Sequence, residues 1–197
     1  MELSKLKRVY DVIIVGSGVA GLYAALNFPP FVNILMLSKK ERHQSNSSLA
    51  QGGVACVLNF ENDSFELHIE DTLIAGGRKN DLDAVTQLVH EGPDDVRKTM
   101  EYGVDYDRDE NGNLIKTLEG GHSRRRIVNH KDTSGKELVD KLMLAVEKLK
   151  NVTVSDETMV TSLCRVKNGF KAEIMNGGEF KTVYSSYCLL ASGGIGR

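Results

Sequence analysis

The chain has 197 residues, 41% of them hydrophobic and 26% charged, with 25 Lys and Arg against 27 Asp and Glu for a formal net charge of −2. That composition is globular and excludes a disordered segment, a collagen and a coiled coil. The near balance of charge removes the electrostatic footprint that a nucleic-acid partner requires. The apolar runs Val12-Ile13-Ile14-Val15 and Ile34-Leu35-Met36-Leu37 fall far short of the ~20 residues that span a bilayer.

Met1 to Arg8 is charged, Asp11 interrupts the apolar run behind it, and no small-residue cleavage site follows, so no secretory signal is read and a cytoplasmic location is expected. Val9 to Val15 is a β-branched strand pattern running into Gly16-Ser17-Gly18-Val19-Ala20-Gly21. Leu22, Ala24, Ala25 and Leu26 then suit a helix that Pro29 and Pro30 end. Val32 to Leu37 reads as a buried strand. A strand, a short helix and a strand imply a parallel crossover, the front half of an α/β dinucleotide fold.

From Ser38 to Phe60 the chain turns polar and small and reads as a loop. Helices are expected over about Ser64 to Ala75, Asp81 to His90, and Pro93 to Tyr102, the last with proline in its first turn and Gly103 past its end. Ser134-Gly135-Lys136-Glu137 has the spacing of a capping box before a helix carrying Leu138, Leu142, Ala145, Val146 and Leu149. After Asn151 strands return. Asn168-Gly169 and Asn176-Gly177-Gly178 supply tight turns for a three-stranded meander over about Met159 to Tyr184. Tyr187 to Leu190 is a further buried strand that ends on Gly193-Gly194, and the stop at Arg197 reads as a cut.

Cys56, Cys164 and Cys188 form no CxxC pair and are expected to be reduced and buried, while His43, His68, His90, His122 and His130 are scattered, so no metal site is indicated. The glycine segment carries more. Its first glycine makes the turn, its second admits a pyrophosphate to the backbone, and its third lets the helix pack closely, with the helix start attracting the negative charge. Where an acid would accept from the ribose, this chain has Ser38, followed by Lys39 and Lys40. On the residues alone that leaves NADP open beside FAD, and leaves the lysines readable as a solvated turn. The loop Ser45 to Gly53, rich in hydroxyls, amides and glycines, tilts toward the polar edge of a flavin; an ordinary mobile loop is the plain alternative. Leu118-Glu119-Gly120-Gly121-His122-Ser123-Arg124-Arg125-Arg126 gathers a carboxylate, a histidine and three arginines suited to a dicarboxylate or an amino acid. A solvated basic turn is its plain reading, and a nucleic-acid patch has no interleaved aromatics to support it.

Taken together, Gly16 to Gly21, Leu37-Ser38-Lys39, Ser47-Ser48-Leu49-Ala50-Gln51-Gly52-Gly53-Val54-Ala55, Glu70-Asp71-Thr72-Leu73 and Glu119-Gly120-Gly121-His122-Ser123 resemble, in order along almost the whole chain, the L-aspartate oxidase family. That family is related to the succinate dehydrogenase and fumarate reductase flavoproteins. The resemblance implies a Rossmann-like FAD-binding domain with a β-meander and a helical insertion over residues 1–197, and FAD as the cofactor. It implies Ser17, Gly18, Val19 and Ala20 at the pyrophosphate, with Gly16 and Gly21 among the cofactor-binding residues, and Ser38 and Lys39 near the adenosine ribose. Asn46, Ser47, Ser48, Leu49, Ala50, Gln51, Gly52 and Gly53 would surround the isoalloxazine and ribityl chain. Val160 is implied near the adenine, and Ala191, Ser192 and Gly193 against the cofactor.

In the succinate dehydrogenase relatives a histidine in the Gln-Gly-Gly loop bonds FAD covalently. Counting back from Gln51, the position here is Asn46, whose amide cannot form that bond, so the resemblance implies noncovalent FAD. Glu119 falls where the oxidases carry the glutamate that orients the substrate ammonium, with His122 and Arg124 beside it as substrate-side or structural residues. The implied reaction takes L-aspartate to iminoaspartate, with oxygen or fumarate as acceptor, and the family's place in NAD biosynthesis implies quinolinate synthase as a partner. The family's capping domain, C-terminal helical domain and catalytic arginine base lie beyond the point matching Arg197, so this portion alone is expected to be inactive or nearly so. The rivals are a fumarate reductase or succinate dehydrogenase-like flavoprotein, against which Glu119 and Asn46 argue, and a nucleotide-binding module without redox chemistry.

Overall fold

The structure, a computed structural model, describes residues 2–41 and 44–194. It divides into two compact units, Met1–Leu49 with Val139–Arg197, and Ala50–Leu138.

The first unit is built on a six-stranded sheet. Its strands are β1 (Val9–Val15), β2 (Ile34–Leu37), β5 (Val152–Ser155), β6 (Met159–Val166), β7 (Gly169–Asn176) and β8 (Glu179–Leu190), in the order β5-β2-β1-β8-β7-β6. β1 pairs in parallel with β2 and with β8, and β2 with β5. All four residues of β2 are buried, as expected for a continuous apolar run inside a parallel sheet. Helix α1 (Val19–Asn27) follows the glycine turn after β1 and buries Gly21, Leu22 and Ala25. Tyr10, Ile13, Leu35 and Leu37 share one core cluster with Ala172, Ile174 and Val183 of the meander, and with Leu3 and Leu6 ahead of β1.

The meander turns where the glycines stand. Gly177 and Gly178 both have positive φ, at 56° and 87°, in the turn between β7 and β8. Its last strand differs from expectation. In place of a strand ending near Tyr184 and a separate one from Tyr187, β8 runs unbroken over twelve residues. It pairs antiparallel with β7 over 179–185 and parallel with β1 over 184–190, so one backbone changes neighbour at the polar Ser185-Ser186 step.

The second unit carries the two-residue strands β3 (Val54–Ala55) and β4 (Ile127–Val128), paired antiparallel, with helices α2 (Phe65–Ala75) and α3 (Leu82–Glu101). Ser64 caps α2 by accepting the Leu67 amide, and Asp81 caps α3 by accepting that of Ala84. The two expected helices at 81–90 and 93–102 are the single helix α3, with Pro93 inside it. Pro93 removes one helical hydrogen bond. Val85, Val89, Pro93, Val96 and Thr99, however, repeat at helical spacing and are all buried, so one continuous buried face carries the helix through the proline. The β pairing within the expected Ser38–Phe60 loop rests on Val54 and Ala55 alone, too short a run to register as a strand pattern.

Helix α4 (Ser134–Glu147) begins at the predicted serine. Ser134 Oγ accepts the amide of His130 at 2.9 Å and Glu137 accepts that of Asp105 at 3.1 Å, tying the helix start to loops of its own unit. Among the cysteines, Cys56 is buried and its thiol is pushed up to about 11 by that burial, whereas Cys164 is exposed on β6, contrary to expectation. Residue 164 lies in the outer strand of the sheet, where, among the described residues, one side of the backbone has no partner strand. His43 and Arg197 lie outside the described residues.

Candidate functional site

The glycine turn of the first unit is held by sterics that only glycine meets. Gly16 has φ +116°, and a Cβ there would lie 2.2 Å from the carbonyl oxygen of Ala191. The backbones after β1 and after β8 therefore pass in direct contact, with the Gly16 amide donating to Leu37 and the Ala191 amide to Val15, each at 2.8 Å. At Gly21 a Cβ would fall 2.1 Å from the Gly16 carbonyl oxygen, so α1 packs straight onto the turn.

Gly18 is the N-cap of α1, with no capping side chain and no acid in the first turn. The amides of Val19, Ala20 and Gly21 have no partner within the helix. That of Val19 donates to Ser47 Oγ at 3.3 Å, and the same oxygen lies 3.0 Å from where a Gly18 side chain would begin. A positive helix end, uncapped and reached by bare backbone, fits a pyrophosphate. The residues present thus accommodate the cofactor the fold implies.

Ser17 donates to Ser38 Oγ at 2.8 Å in a buried pair, and the Ser38 backbone is fixed by its amide to Ser155 and by the Thr158 amide to its carbonyl, at 3.0 and 2.7 Å. Lys39 is exposed, and Val160, two residues beyond Thr158, is half-buried against the core of the unit. Ser45 to Leu49 forms a tight turn in which the amide of Ser48 donates to Ser45 and that of Leu49 to Asn46, and Asn46 itself is exposed. Of the expected cofactor residues, the unit gathers Gly16 to Gly21 with Ser38, Ser47 and Ala191 around one turn. Ser192 and Gly193 are exposed behind it.

The second unit holds the remainder of the Gln-Gly-Gly segment. Ala50 accepts the amide of Gly135 at 3.0 Å, and Gln51 is exposed. A Cβ on Gly52 would meet only the Glu119 carboxylate, at 3.6 Å, whereas one on Gly53 would lie 2.3 Å from Asn129 Oδ1 and 2.4 Å from the Val128 carbonyl oxygen. The exposed carboxylate of Glu119 therefore stands beside Gly52, in the same unit as His122.

Behind His122 lies a buried charged network. Arg126 is 1% exposed. Its Nε and Nη2 donate to the two oxygens of Asp63 at 2.9 and 2.7 Å, and its Nη1 donates to Asp71 Oδ2 at 2.6 Å and contacts His122 Nδ1 at 3.2 Å. The Ser123 amide and hydroxyl also donate to Asp71 Oδ2, at 2.8 and 2.9 Å. Burial alone would lower the guanidinium, yet the two carboxylates outweigh it and hold Arg126 above its ordinary value. For Asp71, burial is likewise outweighed, by Ser123 and Arg126, and the carboxyl lies below its ordinary range. His68 packs 5.6 Å from His122, ring to ring, with its own Nδ1 buried and without a hydrogen-bond partner among the described residues. Burial first, then the positive field of Arg126, pushes it down to about 4.

Sequence reasoning named Arg126 only as one of three arginines and gave Asp63 and His68 no role. Asp63 and Asp71 lie 63 and 55 positions from Arg126, and no local spacing announces such a pairing. Among the described residues no group of His, Cys, Asp and Glu suits a metal ion, and no helix is long and apolar enough to cross a membrane.

Residues 11–197 match the family model described as FAD binding domain. The chain is 43% identical over 192 residues to the L-aspartate oxidase of Clostridium perfringens, covering 97% of this chain and 43% of that protein. It is 37% identical over 199 residues to the chloroplastic L-aspartate oxidase 2-b of Nicotiana tabacum, covering 96% of this chain and 30% of that one. The fold superposes on a quinol fumarate reductase chain of E. coli with a TM-score of 0.89 at 26% identity, over 94% of this chain and 33% of that chain. The chain thus spans less than half the length of these curated relatives.

Proposed function

The chain belongs to the FAD binding domain family, and from that membership we propose that it is the flavin-holding part of an L-aspartate oxidase, which converts L-aspartate to iminoaspartate. FAD is its cofactor. The reading rests on one observation above the rest: the exposed Glu119 carboxylate stands beside Gly52 of the Gln-Gly-Gly segment. Aspartate differs from succinate by one ammonium group, and a carboxylate at that point supplies a charge-assisted partner. A site built for succinate has no use for it.

In this reading the start of α1, with Gly16 to Gly21, binds the pyrophosphate through backbone amides and the helix dipole, and Ser38 and Lys39 meet the adenosine ribose. Val160 lies toward the adenine, and Ala191 to Gly193 back the cofactor. Asn46 to Gly53 line the flavin, and Asn46, an amide where a covalent linkage would need a histidine, leaves FAD noncovalently held. Bound FAD supplies the hydride acceptor for the substrate Cα, with oxygen or fumarate as the final acceptor. Glu119 orients the substrate ammonium, and His122 lies on the substrate side. We assign the catalytic base to no residue of 1–197, and quinolinate synthase as the consumer of the product.

The test is a visible spectrum of the chain purified after addition of FAD, followed by acid precipitation and by titration with L-aspartate and with succinate. The expected result is yellow protein that releases all its flavin to the supernatant. Aspartate should perturb the flavin band at roughly tenfold lower concentration than succinate, a preference of about 1.5 kcal/mol that E119Q abolishes. A colourless protein, or equal response to the two diacids, overturns the reading.

A further inference from the structure

The guanidinium of Arg126 is a donor at every nitrogen and never an acceptor. Its Nη1 carries two hydrogens, and the structure gives that nitrogen two partners, Asp71 Oδ2 at 2.6 Å and His122 Nδ1 at 3.2 Å. One hydrogen goes to each. Asp71 cannot release Nη1 easily, because the same oxygen also takes the Ser123 amide and hydroxyl. Nor can the guanidinium rotate, because Asp63 holds Nε and Nη2 as a fork. The group is 1% exposed, so water does not compete for its hydrogens.

We propose that Arg126 is a positioning residue that fixes the tautomer of His122, by donating to Nδ1 so that the ring proton resides on Nε2. His122 then offers an N–H at Nε2 and a lone pair at neither nitrogen. It serves as a hydrogen-bond donor to an acceptor oxygen and takes no proton from a substrate. Asp63 and Asp71 act through Arg126, the first by orienting the fork and the second by sharing Nη1. Resting on the aspartate oxidase reading, the acceptor is a substrate carboxylate. A His122 fixed as donor and a Glu119 fixed as acceptor would then recognise the two ends of charge on an amino diacid.

The test is the long-range proton–nitrogen NMR spectrum of the chain carrying nitrogen-15 histidine, near pH 7.5, with the His122 signals identified by their loss in H122N. The expected pattern is Nδ1 at the unprotonated position and Nε2 at the protonated one. The reverse pattern, or both nitrogens at an averaged position, overturns the proposal, and this wild-type spectrum decides it whether or not any variant folds. In R126K, which keeps the charge but loses the fork, the two His122 nitrogens should move to averaged positions. A folded R126K with His122 unchanged makes Arg126 merely structural and also overturns the proposal. Adding L-aspartate to the FAD-loaded chain should shift the His122 Nε2 signal. Were Nε2 protonated as expected but unmoved by aspartate, the oxidase reading would fall and the Arg126 assignment would stand.

Discussion

The hydroxyl of Ser17 donates to the hydroxyl of Ser38 at 2.8 Å, joining the turn after β1 to the end of β2 across 21 residues. Both side chains are buried. Because Ser17 is the donor, Ser38 keeps its own O–H to give, the opposite role to that of the acid usual at this point of the fold, which only accepts. S38A leaves the Ser17 hydroxyl buried without its partner and should cost about 1–2 kcal/mol. The double variant S17A/S38A should cost less than the sum of the singles, by a coupling of about 1 kcal/mol. Urea midpoints of the four proteins measure this, and a coupling of zero would mean that the two hydroxyls contribute independently.

The adjacent glycines of the Gln-Gly-Gly segment should respond differently. At Gly52 a methyl would make ordinary contact with the Glu119 carboxylate at 3.6 Å, so G52A should change stability by less than about 0.5 kcal/mol. At Gly53 it would press into Asn129 and the Val128 backbone, and G53A should cost about 1–3 kcal/mol. G16A combines an impossible approach to Ala191 with φ +116° and should lose about 3 kcal/mol or more along with FAD binding. Thermal melts with and without FAD separate the three, and equal losses at Gly52 and Gly53 would contradict the backbone path described above.

The elements that were legible in the sequence are those whose cause is local. The glycine turn with its flanking strand and helix, the helix beginning near Ser64 and the Gly177-Gly178 turn each show in a short window of residues. Pro93 misled because its rule is local while its remedy, the buried face from Val85 to Thr99, extends over four turns of helix. Gly16 and Gly21 show for the same reason, since each is required by the close approach of another backbone segment to its own. The Asp63–Arg126–Asp71 network does not, because it is made by residues far apart in sequence, none of which is unusual in its own neighbourhood.

That network should behave as a unit. Removing one partner of a buried ion pair strands the remaining charge, so D63A should cost about 3–5 kcal/mol, in contrast to the exposed pair Arg97–Asp94, where D94A should cost no more than about 1 kcal/mol. Urea denaturation of both variants is the measurement. Similar small losses would mean that Arg126 is solvated in the folded protein.

The pH dependence follows from His68. Its folded value of about 4 lies below the ordinary 6.5, so as the pH falls below 6.5 the unfolded chain takes up a proton that the folded chain refuses until about pH 4. Stability is therefore fully present above pH 6.5 and declines toward pH 4, by up to about 1.4 kcal/mol per unit and on the order of 3 kcal/mol in all. Asp71 adds a loss at lower pH. Its folded carboxyl lies below the usual range, so its contribution is present above the unfolded value and disappears as the pH falls through the folded one. H68F should flatten the decline between pH 6.5 and 4 and leave the acid loss beneath it, as read from urea midpoints at pH steps from 7.5 to 3.5. If wild type and H68F declined in parallel, His68 would titrate alike in both states, and the ring could not be held neutral by its burial beside Arg126.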